Sequence, residues 1–223
     1  MKRLTLVLIF CLLLPFPQIC YAQTNYDIIC KGIDVSSYQG LINWEDVKQD
    51  GISFAFIRCK SAITGIDPYF DFNASQAVSA NIPIGIYYYS GATTNLEALE
   101  EVQYMISCAK RHQILLPLVY DIEGPVMASV SSNQLKQNIN IFCKEVVKAG
   151  YKPMIYSNAE FFSKYLLPLK CNLWVACYRD SLSYNIPNTK YWQASSKGKV
   201  RGIEGNVDIN YRIKPKEKIY GEH

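Results

Sequence analysis

Residues 118–125 read LVYDIEGP. They close an apolar run, ILLPLVYD (114–121), that has the composition of a strand entering a core. The run ends in two carboxylates, Asp121 and Glu123, separated by one residue. Residues i and i+2 of a strand point to the same side, so the two acids face one space with Cβ atoms roughly 6–7 Å apart. Like charges at that spacing repel, and each raises the other's pKa. An ordinary reading makes them a solvated loop that caps the next helix. The alternative is a general acid beside a charge stabiliser.

Other runs of the same kind bracket this one. Strands are expected near 31–35 (KGIDV), 53–59 (SFAFIRC), 82–89 (IPIGIYYY), 152–157 (KPMIYS), 172–178 (NLWVACY), 190–194 (KYWQA) and 206–210 (NVDIN). Helical patterns separate the early ones: WEDVKQD, YFDFNASQAVSA, NLEALEEVQYMISCAKRH and SSNQLKQNINIFCKEVVKAG. The last carries Leu135, Ile139, Phe142, Val146 and Val147 at helical spacing, with Ser131 or Ser132 as N-cap and Gly150 at the C-terminus. A further short helix is expected after Asn158. Strand–helix alternation implies a parallel sheet, and eight strands imply an α/β fold closed as an irregular, single-domain, TIM-like β/α barrel. The late strands lie too close together for full helices between them, so the barrel has eight short strands and fewer helices. In such a barrel Asp34, Asp121, Glu123 and Asp208 converge on one mouth, because the eighth strand neighbours the first.

Residues 1–22 have a basic start (Lys2, Arg3), an apolar centre and Ala22 at a cleavage point, the pattern of a secretory signal peptide. The expected mature unit is 23–223, a soluble monomer without stable membrane association. It is secreted; a lysosomal or phagosomal lumen would look identical in sequence. The formal charge of +4 falls to +2 without Lys2 and Arg3, which gives little support to a nucleic-acid partner. Six cysteines remain: Cys30, Cys59, Cys108, Cys143, Cys171 and Cys177. In a secreted chain that even number implies some bridging, with no pairing specified; Cys59 and Cys143 also fit as buried thiols. With only His112 and His223 present, a multi-histidine zinc site is excluded, and no metal or other cofactor is expected. His112 reads as a residue capping a helix C-terminus. Asn73-Ala74-Ser75 matches a glycosylation sequon inside an expected helix.

Glycosidic bond cleavage suits four convergent acids: one carboxylic acid protonates the leaving oxygen and another stabilises positive charge or activates water. Sugars stack on flat apolar surfaces with polar tips, and Tyr87, Tyr89, Tyr156, Trp174, Tyr178 and Trp192 fall at strand ends as candidate substrate contacts.

The ordered set GIDVSSYQG (32–40), DPYFDFN (67–73), IPIGIYYYS, YDIE, IYSN, LWVACY, YWQ and NVDIN resembles the family 25 glycoside hydrolases, Chalaropsis-type lysozymes that cut the β-1,4 bond after N-acetylmuramic acid in bacterial peptidoglycan. The resemblance implies an irregular β/α barrel and a muramidase acting on peptidoglycan glycan strands. It implies Glu123 as general acid and Asp121 as the residue that orients or stabilises a reacting N-acetyl group. It makes Asp34 and Asp208 the remaining acids of the cleft, and Tyr87, Tyr156, Trp174 and Trp192 aromatics of the sugar path. Cys177 departs from the family's pattern, which often carries Gln there. A barrel that binds glycan without cutting it, and a glycosidase acting on chitin-like polymers, are the competing readings.

Overall fold

The computed structural model describes residues 25–179, 181–182 and 186–216. The expected signal peptide lies outside the described residues. Among the described residues nine strands form one sheet: β1 (Tyr26–Val35), β2 (Ala55–Ser61), β3 (Gly65–Ile66), β4 (Ile84–Tyr89), β5 (Ile114–Asp121), β6 (Pro153–Asn158), β7 (Asn172–Ala176), β8 (Thr189–Gly198) and β9 (Val207–Pro215). Their order is β1-β9-β8-β7-β6-β5-β4-β2-β3, and a β1–β2 pairing closes eight of them into a ring, with β3 a short hairpin appendage of β2. All eight expected strands are present, and the closed barrel is confirmed.

One strand runs against expectation. Seven barrel strands are mutually parallel, but β9 is antiparallel to both neighbours, β1 and β8. The reason is chain length. Residues 199–206 separate β8 from β9, fewer than the dozen or so a parallel crossover needs. The chain turns back instead, so Asp208 lies at the start of its strand. Reversal leaves the acid at the same mouth, because Asp34, near the end of β1, is directly paired with Asp208 in the register.

Helices α1 (Trp44–Gln49), α2 (Phe70–Ser79), α3 (Asn95–Ala109), α4 (Gly124–Ser129), α5 (Ser132–Lys148) and α6 (Ala159–Phe161) fill the connections, α6 running on into a π-helical turn, Phe162–Leu166. Thr94 and Glu97 start α3 with a reciprocal capping box. The Ser131 hydroxyl accepts from the Gln134 amide at 3.2 Å to start α5. Leu135, Ile139, Phe142 and Val146 of α5 are buried as their spacing predicts, whereas Val147 is exposed, one step round the helix. Helix α4 carries no apolar period and is not legible in the sequence.

Two cores result from strand alternation. The larger lies between barrel and helices, with Ile33, Ile57, Ile86, Leu118 and Tyr120 pointing outward into it. The smaller fills the lower barrel: Phe54, Phe56, Val119, Met154, Trp174 and Tyr191. Phe56 stacks on Trp174 with centroids 4.7 Å apart and meets Tyr191 edge-on at 5.1 Å. Room for Phe56 comes from Gly85, where a Cβ would stand 2.5 Å from the Phe56 ring and 2.6 Å from the Pro117 carbonyl oxygen.

His112 does not cap α3. Its Nε2 lies 2.7 Å from Asp71 Oδ1, tying the end of α3 to α2. The sequon asparagine is also structural: buried Asn73 accepts from Trp44 Nε1 at 3.2 Å and donates to the Gly40 carbonyl at 2.9 Å, so its amide is not available for glycosylation. All six described cysteines are free thiols, so the bridging expected from their number is not formed in this structure.

The interlock of Phe56 with Gly85 sets a stability test. Phe56→Ala should destabilise by about 3–5 kcal/mol through cavity formation, and Gly85→Ala by about 1–3 kcal/mol through overpacking. In urea melts the double variant should lose less than the sum of the two, since removing the ring relieves part of the clash.

Candidate active site

The mouth at the C-terminal ends of β1 to β8 is a cleft of about 360 Å³, and Asp34, Asp121, Glu123 and Asp208 all line it. A recess of about 400 Å³ adjoins it, sharing Glu123 and Tyr156 and continuing past Glu160, Tyr178 and Arg179.

Asp34 and Asp208 face each other across the β1–β9 seam, and two side-chain amides hold them. Gln193 Nε2 donates to Asp34 Oδ2 at 2.8 Å and to Asp208 Oδ2 at 3.3 Å. Asn210 Nδ2 donates to Asp34 Oδ2 at 2.7 Å. Both amides are oriented from behind. The Tyr156 and Tyr178 hydroxyls each donate to Gln193 Oε1 at 2.8 Å, and Trp174 Nε1 donates to Asn210 Oδ1 at 2.7 Å. With their oxygens engaged by donors, the amides present only N–H groups to the acids. Burial, followed by the charge of Asp208, pushes the Asp34 carboxyl well above the usual range. Burial raises Asp208 too, while its hydrogen bond with Asp34 pulls it back down.

Asp121 ends β5 and Glu123 follows in extended backbone (φ −157°, ψ 178°), so the two acids share a face as their spacing predicts. Glu123 occupies the N-cap position of α4 but makes no capping hydrogen bond. That removes the ordinary reading: the carboxylate is turned into the cleft and not onto the helix. Gly124 makes the turn at φ +85°, and a Cβ there would lie 2.6 Å from the Tyr89 hydroxyl, which covers the bend. Burial raises Glu123, with Asp208 adding to the rise. Asp121 is pushed well above the usual range by burial, then by Glu123 and Asp34, with the Arg58 charge acting in the opposite direction. Its Oδ1 is buried and has no hydrogen-bond partner.

Of the expected aromatic contacts, Tyr87, Tyr89, Tyr156 and Trp174 line the cleft, and Tyr178, 55% exposed, lines the recess. Trp192 is not brought to the site. Alternation on β8 turns Tyr191 and Gln193 into the barrel and Trp192 outward, where it is buried against Tyr26 and Tyr211 and donates to the Cys177 carbonyl at 2.8 Å. The same alternation would have found what sequence reading missed: Gln193 and Asn210, and Arg58, which follows Phe56 on the inner face of β2. Arg58 is buried in the cleft wall, 3.1 Å from Asp67 Oδ2, with Nη2 donating to Ser37 Oγ at 2.8 Å. Among the described residues no cluster of three or more His, Cys, Asp or Glu could hold a metal ion.

Four acids with raised pKa values, Asp34 and Asp121 buried and Glu123 and Asp208 half-buried, make the site a source of pH-dependent strain. Each favours its protonated form in the folded state, so its contribution to stability is complete below the ordinary carboxylate range and is lost as pH rises through the folded pKa. Asp121→Asn should therefore melt at a higher temperature than the wild type at pH 7, with the gain disappearing near about pH 3. A melting series across that range checks the sign.

Comparison with known proteins agrees with this geometry. The family model for glycosyl hydrolases family 25 matches residues 33–203. Lysozyme M1 of Streptomyces globisporus is 30% identical over 196 residues, covering 81% of this chain and 66% of that protein. The autolytic lysozyme of Clostridium acetobutylicum is 25% identical over 186 residues, covering 81% and 55%. This chain thus spans about two thirds or less of the length of these two curated relatives. Among solved structures, a bacterial lysozyme from Streptomyces coelicolor superposes with a TM-score of 0.71 at 28% identity, covering 82% of this chain and 91% of that one. The chain belongs to family 25 of the glycosyl hydrolases and is a glycoside hydrolase.

Proposed function

We propose that the protein is a secreted lysozyme, a 1,4-β-N-acetylmuramidase that cleaves bacterial peptidoglycan between N-acetylmuramic acid and N-acetylglucosamine. Its catalytic unit would be residues 23–223, freed of the leader at 1–22. The observation that carries the reading is Glu123: a half-buried carboxyl with raised pKa, uncommitted to capping, at the junction of cleft and recess. A glycan strand lying along both spaces would place a glycosidic oxygen beside it. Lysozyme relatives and family membership support the substrate class, and a neighbouring solved structure, the autolysin LytC of Streptococcus pneumoniae in complex with a synthetic peptidoglycan ligand, shares the fold at a TM-score of 0.73 and 25% identity.

In this mechanism protonated Glu123 gives its proton to the leaving oxygen as the glycosidic bond breaks. Oδ1 of Asp121, which has no partner in the protein, accepts a hydrogen bond from the N–H of the substrate's own acetamide; that bond favours the ionised form of Asp121 on substrate binding, and the carboxylate stabilises the positive charge that forms when the acetamide oxygen closes on the anomeric carbon. Water then opens that intermediate, with Glu123 as base. Asp34 and Asp208, held by Gln193 and Asn210, keep negative charge in the cleft floor and raise the Glu123 pKa through Asp208. Tyr87, Tyr89, Tyr156 and Trp174 shape the walls, and Tyr178 contacts the strand in the recess.

Incubation of purified peptidoglycan with wild type and with Glu123→Gln, followed by mass spectrometry of the new reducing ends, tests this. Muropeptides ending in muramic acid should appear with the wild type, and their rate of release should fall by roughly 100-fold or more in the variant. Cleavage products ending in N-acetylglucosamine would reject the bond assignment. Binding without cleavage by either protein would move the reading to a glycan-binding barrel.

The pH profile gives a second test. The general acid works only while protonated, so kcat/KM falls as pH rises through the Glu123 pKa, which lies above that of an ordinary glutamate. Asp208→Asn removes a negative neighbour, lowers that pKa, and should move the alkaline limb to lower pH. A limb that stays in place would show that Asp208 does not act on the acid.

A further inference from the structure

Among the described residues Arg58 is the only lysine or arginine that lines the cleft, against the carboxyl groups of Asp34, Asp121, Glu123 and Asp208. Its guanidinium is engaged on one side only. Nε donates to Asp67 Oδ2 at 3.2 Å and Nη2 to Ser37 Oγ at 2.8 Å, with Nη2 3.1 Å from Asp67 Oδ2. Nη1 has no hydrogen-bond partner among the described residues, although Arg58 is only 7% exposed. Asp67 is held in turn by the backbone: the Ser37 amide donates to Oδ2 at 2.6 Å and the Tyr69 amide to Oδ1 at 3.1 Å. The arginine is therefore fixed before a ligand arrives, with one edge left for an oxygen acceptor.

The rim beside Arg58 is apolar. Tyr38, 79% exposed, has its ring centroid 5.4 Å from Arg58 Cζ, and Ile63 is 74% exposed; both line the cleft. A built turn holds Ile63 there, since Ser61 Oγ accepts from the Ile63 amide at 3.1 Å and the Thr64 amide at 3.3 Å.

Muramic acid differs from N-acetylglucosamine in one group, a lactyl ether on C3, which carries an acyl oxygen and a methyl. In the muramidase reading Glu123 meets the leaving oxygen on C1 and Asp121 the acetamide on C2. Round the barrel in the same sense, β5 with Asp121 is followed by β4 and then by β2. Tyr89 is level with Asp121, and Tyr87 is level with Arg58. Two strand spacings are about 10 Å, room for one pyranose ring and its substituents. With the acetamide at Asp121, the C3 group of that sugar falls towards Arg58.

We propose that Arg58 reads the lactyl group of muramic acid, Nη1 donating to its acyl oxygen while Ile63 packs on its methyl. The proposal rests on the muramidase reading and gives the cleft a reason to prefer muramic acid over the sugar of chitin. In glycan stripped of its peptides the acyl oxygen belongs to a carboxylate, which the acids of the cleft repel and Arg58 attracts. In strands that carry peptides it is an amide carbonyl, and the peptide leaves over the turn at Ile63 and Thr64.

Titration of the protein with N-acetylglucosaminyl-N-acetylmuramic acid and with N,N′-diacetylchitobiose tests this, followed by tryptophan fluorescence, since Trp174 lines the cleft. The wild type should bind the muramic disaccharide about 10-fold or more tighter, the worth of one hydrogen bond between charged groups. Arg58→Gln combined with Asp67→Asn removes both charges of the buried pair, so neither is left unpaired, and should bring the ratio of the two dissociation constants close to one. Ile63→Ser, on an exposed turn, should cut the ratio about 4-fold through the lost methyl contact. Equal affinities in the wild type, or a double variant that weakens both ligands alike, would overturn the assignment. The ratio is read without turnover, so it is separable from the activity: peptidoglycan cleavage with equal affinities would reject the role of Arg58 alone, and a preference without cleavage would keep that role in a glycan-binding barrel.

Discussion

The seam between β1 and β9 is the constraint on which the site depends. It closes the barrel, and because β9 runs antiparallel it brings the start of one strand to the end of the other, with Asp34 opposite Asp208. Two carboxylates in directly opposed, inward-facing positions are a destabilising pair unless a proton sits between them. The neighbouring inward positions on β8 and β9 are both amides, Gln193 and Asn210, and an amide can donate to an acid from its nitrogen while its oxygen accepts from a hydroxyl or indole behind it. Tyr156, Tyr178 and Trp174 supply those donors. The aromatics of the mouth are therefore tied to the acids by hydrogen bonds as well as by proximity.

The division between the two cores follows from the same alternation. Below the mouth the barrel is filled by interlocked rings, with Phe56 between Trp174, Tyr191 and Gly85. Trp174 belongs to both layers: one face is taken by Phe56, and its N–H reaches up to Asn210. The acid cluster rests on a packed apolar floor, which raises the carboxyl pKa values by desolvation and restrains the groups that orient them.

Much of this was legible in the sequence. The strand runs, the long helices, barrel closure and the convergence of Asp34, Asp121, Glu123 and Asp208 follow from period and spacing. What was not legible depended on details that a hydrophobic pattern does not carry. The direction of β9 is set by the length of residues 199–206, and α4 has no apolar stripe to announce it. Trp192 was expected in the sugar path because aromatics at strand ends look alike until the phase of alternation is counted; counted from Gln193, it points outward. Arg58 was missed for the same reason, being a charged residue at an interior position of a strand. Its partner Asp67 comes from the connection after β3, a pairing across the β2–β3 turn that composition does not signal.

Hydrogen-bond satisfaction separates the acids into two kinds, and charge alone would not. Asp34 is as buried as Asp121, and both are pushed well above the usual carboxylate range. Asp34, however, has two amide donors at 2.7 and 2.8 Å. Asp121 has a bare Oδ1. A buried acceptor without a partner is rare in a folded protein, since leaving it unmade costs about 1–3 kcal/mol. The fold keeps such an oxygen beside Glu123, with the Arg58 charge opposing its protonation. In the proposed mechanism that is the condition Asp121 requires: an acceptor held ready by the barrel for a donor that only the substrate brings. Asp34, already satisfied, is the acid that holds the seam together.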